Sequence, residues 1–191
     1  MTLTAVDVKD NSEEYHDFVS LYHTAFPPEE LIPEEGFYDS IHMEGASVTA
    51  YYDEENPGKK VFIGFTYVIE TEQFLFLYFF AVNPKHRSRG FGTEIIRSHL
   101  MKKYPGKTIV VNVEYPDESA EDYTLRLERI KFYKRLGFVQ LNCSLYDGRV
   151  LFLVLSTSSE LNLDEYNAFL QRGYDIQNLK DTVQILRPSD T

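Results

Sequence analysis

The chain has 191 residues, 43% of them hydrophobic, a single cysteine and a formal net charge of −11 at pH 7. That length suits one compact domain with a full core, and the acidity excludes a nucleic-acid partner, which needs a basic surface tracking phosphates over several nucleotides. The start MTLTAVDVKD lacks a basic region followed by an apolar run, and no apolar stretch reaches the length of a membrane span, so a soluble, cytoplasmic protein with no membrane partner is expected.

In chain order, residues 3 to 8 read as a first strand, and Asn11 with Glu14 reads as the cap of a helix running to about Phe26. The segment FPPEELIPEEG, Phe26 to Gly36, combines prolines with four glutamates and predicts a loop into a short helix around Phe37 to Met43. Strands follow at Ala46 to Tyr52, Val61 to Glu70 and Phe74 to Val82, the first two joined by the turn ENPGKK and all three antiparallel. Asn83 and Pro84 stop the third strand, and a helix is predicted from about Gly90 to Lys103 with Phe91, Ile95, Ile96 and Leu100 on its apolar face. Pro105 and Gly106 mark a turn into the β-branched strand Thr108 to Val113, which ends at Glu114, and the strand–helix–strand order predicts a parallel crossover.

Ser119 with Asp122 reads as a capping box for a helix to Leu136, with Gly137 as its C-terminal cap. Val139 to Tyr146 and Arg149 to Ser156 form a hairpin through Asp147-Gly148. Beyond it, Asp164 to Gln171 reads as a short helix followed by Gly173, and Thr182 to Leu186 as an edge strand or a cover over a cleft. A homodimer contact is an equal expectation for this C-terminal part, because 14 Tyr and 14 Phe residues leave aromatic surface to cover.

The most informative stretch is Gln73 to Leu100, a buried strand that delivers the basic turn KHRSRGFG into a helix N-terminus. Gly90 and Gly92 let the main chain approach a ligand, unpaired first-turn N–H groups favour phosphate oxygens, and Lys85, His86, Arg87 and Arg89 add positive charge. Glycines alone prove little: at a usage of about 7%, a GxG pair arises about once by chance in a chain this long. A dinucleotide fingerprint would need a third glycine where Ile95 stands, and a P-loop would need a lysine after Gly92, where Thr93 and Glu94 follow.

Strand, RxxGxG (Arg87, Gly90, Gly92), helix, strand, then a helix ending in FYKRLGF (Phe132, Tyr133, Gly137, Phe138) resembles the GNAT superfamily of acyl-CoA N-acyltransferases. The resemblance covers roughly residues 3 to 157, and residues 73 to 138 carry its motifs. It implies an α/β fold with a mixed, mostly antiparallel central sheet flanked by helices. The acetyltransferase domain is then 1–157, and 158–191 is a C-terminal extension packed on the same domain. The implied activity is transfer of acetyl from acetyl-CoA to a primary amine, small or protein-borne, by direct attack in a ternary complex. A CoA-binding regulatory or interaction module without turnover is the alternative.

Residue by residue, the resemblance assigns the pyrophosphate turn to Arg87, Ser88, Arg89, Gly90, Phe91, Gly92 and Thr93. It assigns the pantetheine arm to the backbone of Phe80, Ala81 and Val82, and protonation of the thiolate to Tyr133. A phenol suits that last task because unperturbed thiol and phenol pKa values lie about 1.5 units apart; its competing role is helix packing between Ile130 and Leu136. Glu114 is the expected base, a carboxylate at the end of a strand that would face the phosphate turn's cleft. Two departures from the family stand out: Leu77, Tyr78, Phe79 and Phe80 occupy the strand where a glutamate is frequent, and Arg126 and Arg129 stand where Asn and Ala are frequent. Those arginines can bind a carboxylate or pair with Glu121, Asp122 or Glu128. No metal is expected, since His16, His23, His42, His86 and His99 lack ligand spacing. Cys143, in the apolar VQLNCSLY segment, reads as an inert core residue.

Overall fold

The computed structural model describes residues 3–56, 59–176 and 183–187. Pro57 and Gly58 of the ENPGKK turn, and Thr182, lie outside the described residues. The chain forms two compact units, Met1–Leu31 with Ile41–Lys107, and Ile32–Ser40 with Thr108–Thr191.

The first unit is built on four strands in the order β1 (Leu3–Asp7), β2 (Ala46–Asn56), β3 (Lys59–Glu70) and β4 (Phe74–Val82), each antiparallel to the next. β3 and β4 are rich in β-branched and aromatic residues, side chains that fit a pleated, partly buried surface. Helix α1 (Glu13–Ala25) presents Phe18, Leu21 and Tyr22 at the i, i+3, i+4 spacing of one helical face. Phe18 meets Phe65 of β3 edge-on at 4.8 Å and Tyr22 meets Phe79 of β4 at 5.0 Å, arrangements that the ring quadrupole favours. The cap of α1 is Ser12, whose Oγ accepts from the Tyr15 N–H at 3.1 Å. Asn11 instead takes a positive φ of 59°, so the cap falls one residue later than the sequence predicts. Helix α2 (Glu34–His42) starts directly after Pro33, where a second helix is expected, and covers most of the short helix predicted around Phe37 to Met43.

A second cluster in this unit joins Leu3, Tyr51 and Ile63 to Phe91 and Ile95. Phe91 opens helix α3 (Phe91–Glu94), which widens into a π-helical stretch, Ile95–Leu100, and closes as α4 (Met101–Lys103). The sequence predicts a regular helix here; the π stretch keeps Ile95, Ile96 and Leu100 buried and sets His99 edge-on to Tyr51 at 5.4 Å. Tyr51 is 2% exposed and its hydroxyl shares a 3.0 Å hydrogen bond with Thr66 Oγ1. Burial pushes the Tyr51 phenol up to about 12. The unfolded phenol ionises near 10, so folding keeps its full contribution below that pH and loses it as pH rises towards about 12. Denaturant titrations should therefore show stability falling across this window, by roughly 3 kcal/mol for Tyr51 alone, and Tyr51→Phe should flatten the fall; an equally steep fall in Tyr51→Phe would refute the assignment.

The second unit holds strands β5 (Thr108–Glu114), β6 (Val139–Tyr146), β7 (Leu151–Ser156) and β8 (Gln184–Leu186), paired antiparallel in the order β5-β7-β6-β8. The Asp147-Gly148 hairpin forms as the sequence predicts: Gly148 has φ 86°, and the buried Asp147 carboxylate accepts from the Arg149 and Val150 N–H groups at 2.9 and 2.7 Å. Helix α5 (Tyr123–Arg135) ends at Gly137, φ 95°, but its start is not the expected capping box. Ser119 Oγ donates to Asp117, and the Asp122 carboxylate is taken by Arg126. Helix α6 (Leu163–Ile176) runs through Gly173 instead of stopping before it, because Tyr166, Phe169, Leu170 and Tyr174 continue a buried face past that glycine. Tyr166 also donates to Asn112 Oδ1 of β5 at 2.9 Å. Cys143 is buried, and burial pushes its thiol pKa up, as suits an unreactive core residue. Among the described residues no helix is long and apolar enough to cross a membrane.

Candidate functional site

The basic turn of the first unit begins where Asn83, pinned by its N–H to the Ile63 carbonyl at 2.7 Å, ends β4. A 3-10 turn, Pro84–His86, follows with the Asn83 side chain as its cap. Arg87 then folds back, its Nε donating to the Val82 carbonyl at 3.1 Å. Ser88 at φ 59° and Gly90 at φ 87° are both left-handed. Alternation of this kind turns successive N–H groups towards one concavity, a nest for an anion. Gly90 is also the N-cap of α3, so the first-turn N–H groups of Phe91, Gly92 and Thr93 have no carbonyl of their own helix to bond.

The side chains around this backbone are braced. Arg89 donates to His86 Nδ1 at 3.3 Å and lies over the Phe91 ring at 5.2 Å, while His86 meets the same ring edge-on. Phe91 itself is 1% exposed in the core cluster, so what it offers a ligand is its N–H rather than its ring. Among the described residues neither Arg87 nor Arg89 is paired with a carboxylate; the Val82 carbonyl and the His86 ring hold them beside the nest. Thr93 is exposed and Gly92 half-buried.

Upstream, Ala81 is buried while Phe80 and Val82 pack partly buried against the Phe91 cluster. Two features of this strand end go beyond the sequence prediction. The β3–β4 register slips between Tyr67/Phe79 and Val68/Leu77, which makes Tyr78 the extra residue of a bulge, a device common beside functional sites. On β3, a Cβ at Gly64 would lie 2.2 Å from the Ala81 carbonyl oxygen, so only glycine lets β3 come this close to the end of β4. An isolated glycine inside a strand pattern was the available signal for the second; the bulge had none.

In the second unit the two predicted catalytic residues sit at the ends of one charged cluster. Glu114 closes β5 and is only 3% exposed. Its carboxylate pairs with the Arg129 guanidinium of α5 and, at 3.9 Å, with Arg126 Nε. Arg126 is further tied to Asp122 at 2.7 Å and to the Tyr115 carbonyl at 3.0 Å. Of the partners that the sequence offers these arginines, Asp122 is used; Glu128 pairs with Lys131 instead. Tyr133 follows Arg129 by one helical turn, 4% exposed, between Phe132 and Phe138 at ring distances of 5.2 Å each. Burial pushes its phenol pKa well above the ordinary value, and the Arg129 charge pulls it back down. The structure therefore groups residues 80–93 in the first unit, and Glu114 with Tyr133, through Arg129, in the second.

This fold and the RxxGxG turn define a class. A family model for the acetyltransferase (GNAT) domain matches residues 44–140, and the chain belongs to that family. Three solved structures share the fold. A GNAT-family protein of Bacteroides thetaiotaomicron aligns with a TM-score of 0.68 at 20% identity, over 94% of this chain and 99% of its own. An aminoglycoside 6'-N-acetyltransferase complexed with coenzyme A aligns with a TM-score of 0.60 at 16% identity, over 80% and 95%. Naa50 of Arabidopsis thaliana, in complex with the bisubstrate analogue CoA-Ac-MVNAL, aligns with a TM-score of 0.56 at 17% identity, over 83% and 99%. A comparison with curated protein sequences finds no match.

Proposed function

We propose that this chain is an N-acetyltransferase that moves the acetyl group of acetyl-CoA to a primary amine by direct attack in a ternary complex. The observation that carries the reading is the turn at Arg87 to Thr93, where left-handed Ser88 and Gly90 and two arginines that have no acidic partner among the described residues surround first-turn N–H groups without helical acceptors. Oxygens of a pyrophosphate fit that donor set. Acetyl-CoA supplies the activated thioester; the N–H groups of Phe80, Ala81 and Val82 are proposed to bind the pantetheine arm, and Tyr133 to give the leaving sulfur its proton. Burial keeps that phenol protonated at neutral pH, and so able to donate.

Glu114 takes a different role from the base that strand position suggested. Its two oxygens face the guanidinium groups of Arg126 and Arg129, an arrangement in which the carboxylate serves as their counter-ion. We assign it to holding the arginines, and the amine's proton to solvent. The acceptor is proposed to be cationic at neutral pH, since a net charge of −11 attracts cations over long range. An aminoglycoside acetyltransferase and a peptide-bearing bisubstrate complex among the structural neighbours support an amine as the acceptor class.

Calorimetry with acetyl-CoA followed by a screen of polyamines, aminoglycosides, amino acids and peptides tests the reading. Saturable binding and transfer to at least one amine are expected. Tyr133→Phe is then expected to lower kcat about a hundredfold, the range of a general acid, at unchanged acetyl-CoA affinity; binding with no transfer to any amine would favour a regulatory module instead.

A further inference from the structure

Arg129 is unlike a surface arginine in one respect: its guanidinium is held against a carboxylate that is almost wholly buried. Glu114 is 3% exposed while the Arg129 side chain is 41% exposed, so the anion pins the inner edge of the cation and leaves its outer edge accessible. Glu114 is itself steadied by Arg126, which Asp122 and the Tyr115 carbonyl hold in turn. Arg129 and Tyr133 lie four residues apart on α5, the spacing at which side chains meet on one helix face. A helical side chain leans towards its own N-terminus, which carries Tyr133 towards the turn of Arg129.

We propose that Arg129, clamped by Glu114, is a positioning residue whose fixed positive charge stabilises the Tyr133 phenolate left when that tyrosine protonates the departing thiolate. The inference rests on the role proposed for Tyr133 above. In the step, the amine nitrogen bonds to the thioester carbonyl carbon, the C–S bond breaks, the sulfur takes the phenolic proton, and a negative charge appears on the oxygen of Tyr133, whose ring lies against those of Phe132 and Phe138. A cationic acceptor gives up two protons to solvent, one before it attacks and one once the C–N bond has formed, and solvent returns one to the phenolate, so one proton is released overall. Without a cation, a phenolate in that apolar setting is costly. The charged groups of the cluster are Glu114 from β5 and Arg126, Asp122 and Arg129 from α5 and its cap; of these Arg129 is the one whose charge acts on the phenol, in the direction the proposal needs.

The test replaces Tyr133 with difluorotyrosine, nearly isosteric and more acidic, and follows its ionisation by fluorine NMR in the full chain without any acceptor. Arg129→Met should raise the ionisation midpoint by about one pH unit, the effect of losing one close opposite charge, and Arg129→Lys should keep most of the shift. Circular dichroism confirms that both variants are folded. An unchanged midpoint in folded Arg129→Met would overturn the proposal. Turnover supplies an independent arm: Arg129→Met should lower kcat about tenfold with KM for acetyl-CoA unchanged, and should cost nothing further in a Tyr133→Phe background. Equal losses in both backgrounds would also overturn it. If the midpoint moves but Tyr133→Phe keeps full turnover, the acid role has failed and the proposal falls with it, while the electrostatic coupling is shown to exist.

Discussion

Gly90→Val is expected to weaken acetyl-CoA binding about a hundredfold or more, roughly 2.7 kcal/mol, while leaving the protein folded. Gly90 stands at φ 87°, a conformation in which a β-branched side chain is strained by about 1–3 kcal/mol. The strain has few places to go. Downstream, the Phe91 ring is locked in the core cluster with Leu3, Tyr51, Ile63 and Ile95, and upstream Arg87 is tied to Val82. Relief must therefore come from rotating the peptides between Ser88 and Phe91, which turns their N–H groups away from the concavity. Calorimetry reads the affinity directly. Arg87→Ala should cost less, about tenfold, because it removes one charge-assisted contact and leaves the backbone nest intact. Full affinity in folded Gly90→Val would remove the turn from the cofactor site.

The second large effect concerns stability. Replacing both Arg126 and Arg129 by methionine should lower the free energy of unfolding by about 3–5 kcal/mol, the usual consequence of leaving a buried charge without its partner. Glu114 is the residue left exposed to that cost, since it is 3% accessible and its cations would both be gone. Adding Glu114→Met to the double variant should recover most of the loss, because an apolar side chain in the same place has nothing to desolvate. Denaturant titration of the double and triple variants checks both signs. A triple variant no more stable than the double would show that the arginines stabilise α5 by packing of their stems rather than by holding Glu114.

Much of the backbone of the site was legible in residue order. Phe74 to Val82 reads as a strand from its aromatic and aliphatic run, Asn83-Pro84 as its stop, and Gly90 as the start of a helix; the structure has each of these, and adds that Gly90 is left-handed. Gly137 and Gly148 likewise mark turns at positive φ. The errors fall where two local solutions compete. Asn11 and Ser12 are both good caps, and the choice of Ser12 depends on which lets Phe18, Leu21 and Tyr22 reach the core. Ser119 and Asp122 fit a capping box, but Arg126 outbids the helix backbone for Asp122. Gly173 looks like a stop, yet the buried face of α6 carries past it to Tyr174.

By itself the sequence determined the order of strands and helices, the positions of the sharp turns and the chemistry of the RxxGxG loop. Those follow from steric limits and side-chain preferences that act within a few residues. Tertiary structure alone decided that Glu114 faces two arginines rather than solvent, that Tyr78 bulges out of register, and that Gly64 must lack a Cβ for β3 to meet Ala81. Each depends on which distant segments are brought together and in what register, and a shift of one residue in a strand sends every side chain to the opposite face. The local code sets what each segment is; the register and burial of the assembled units set what its charges can do.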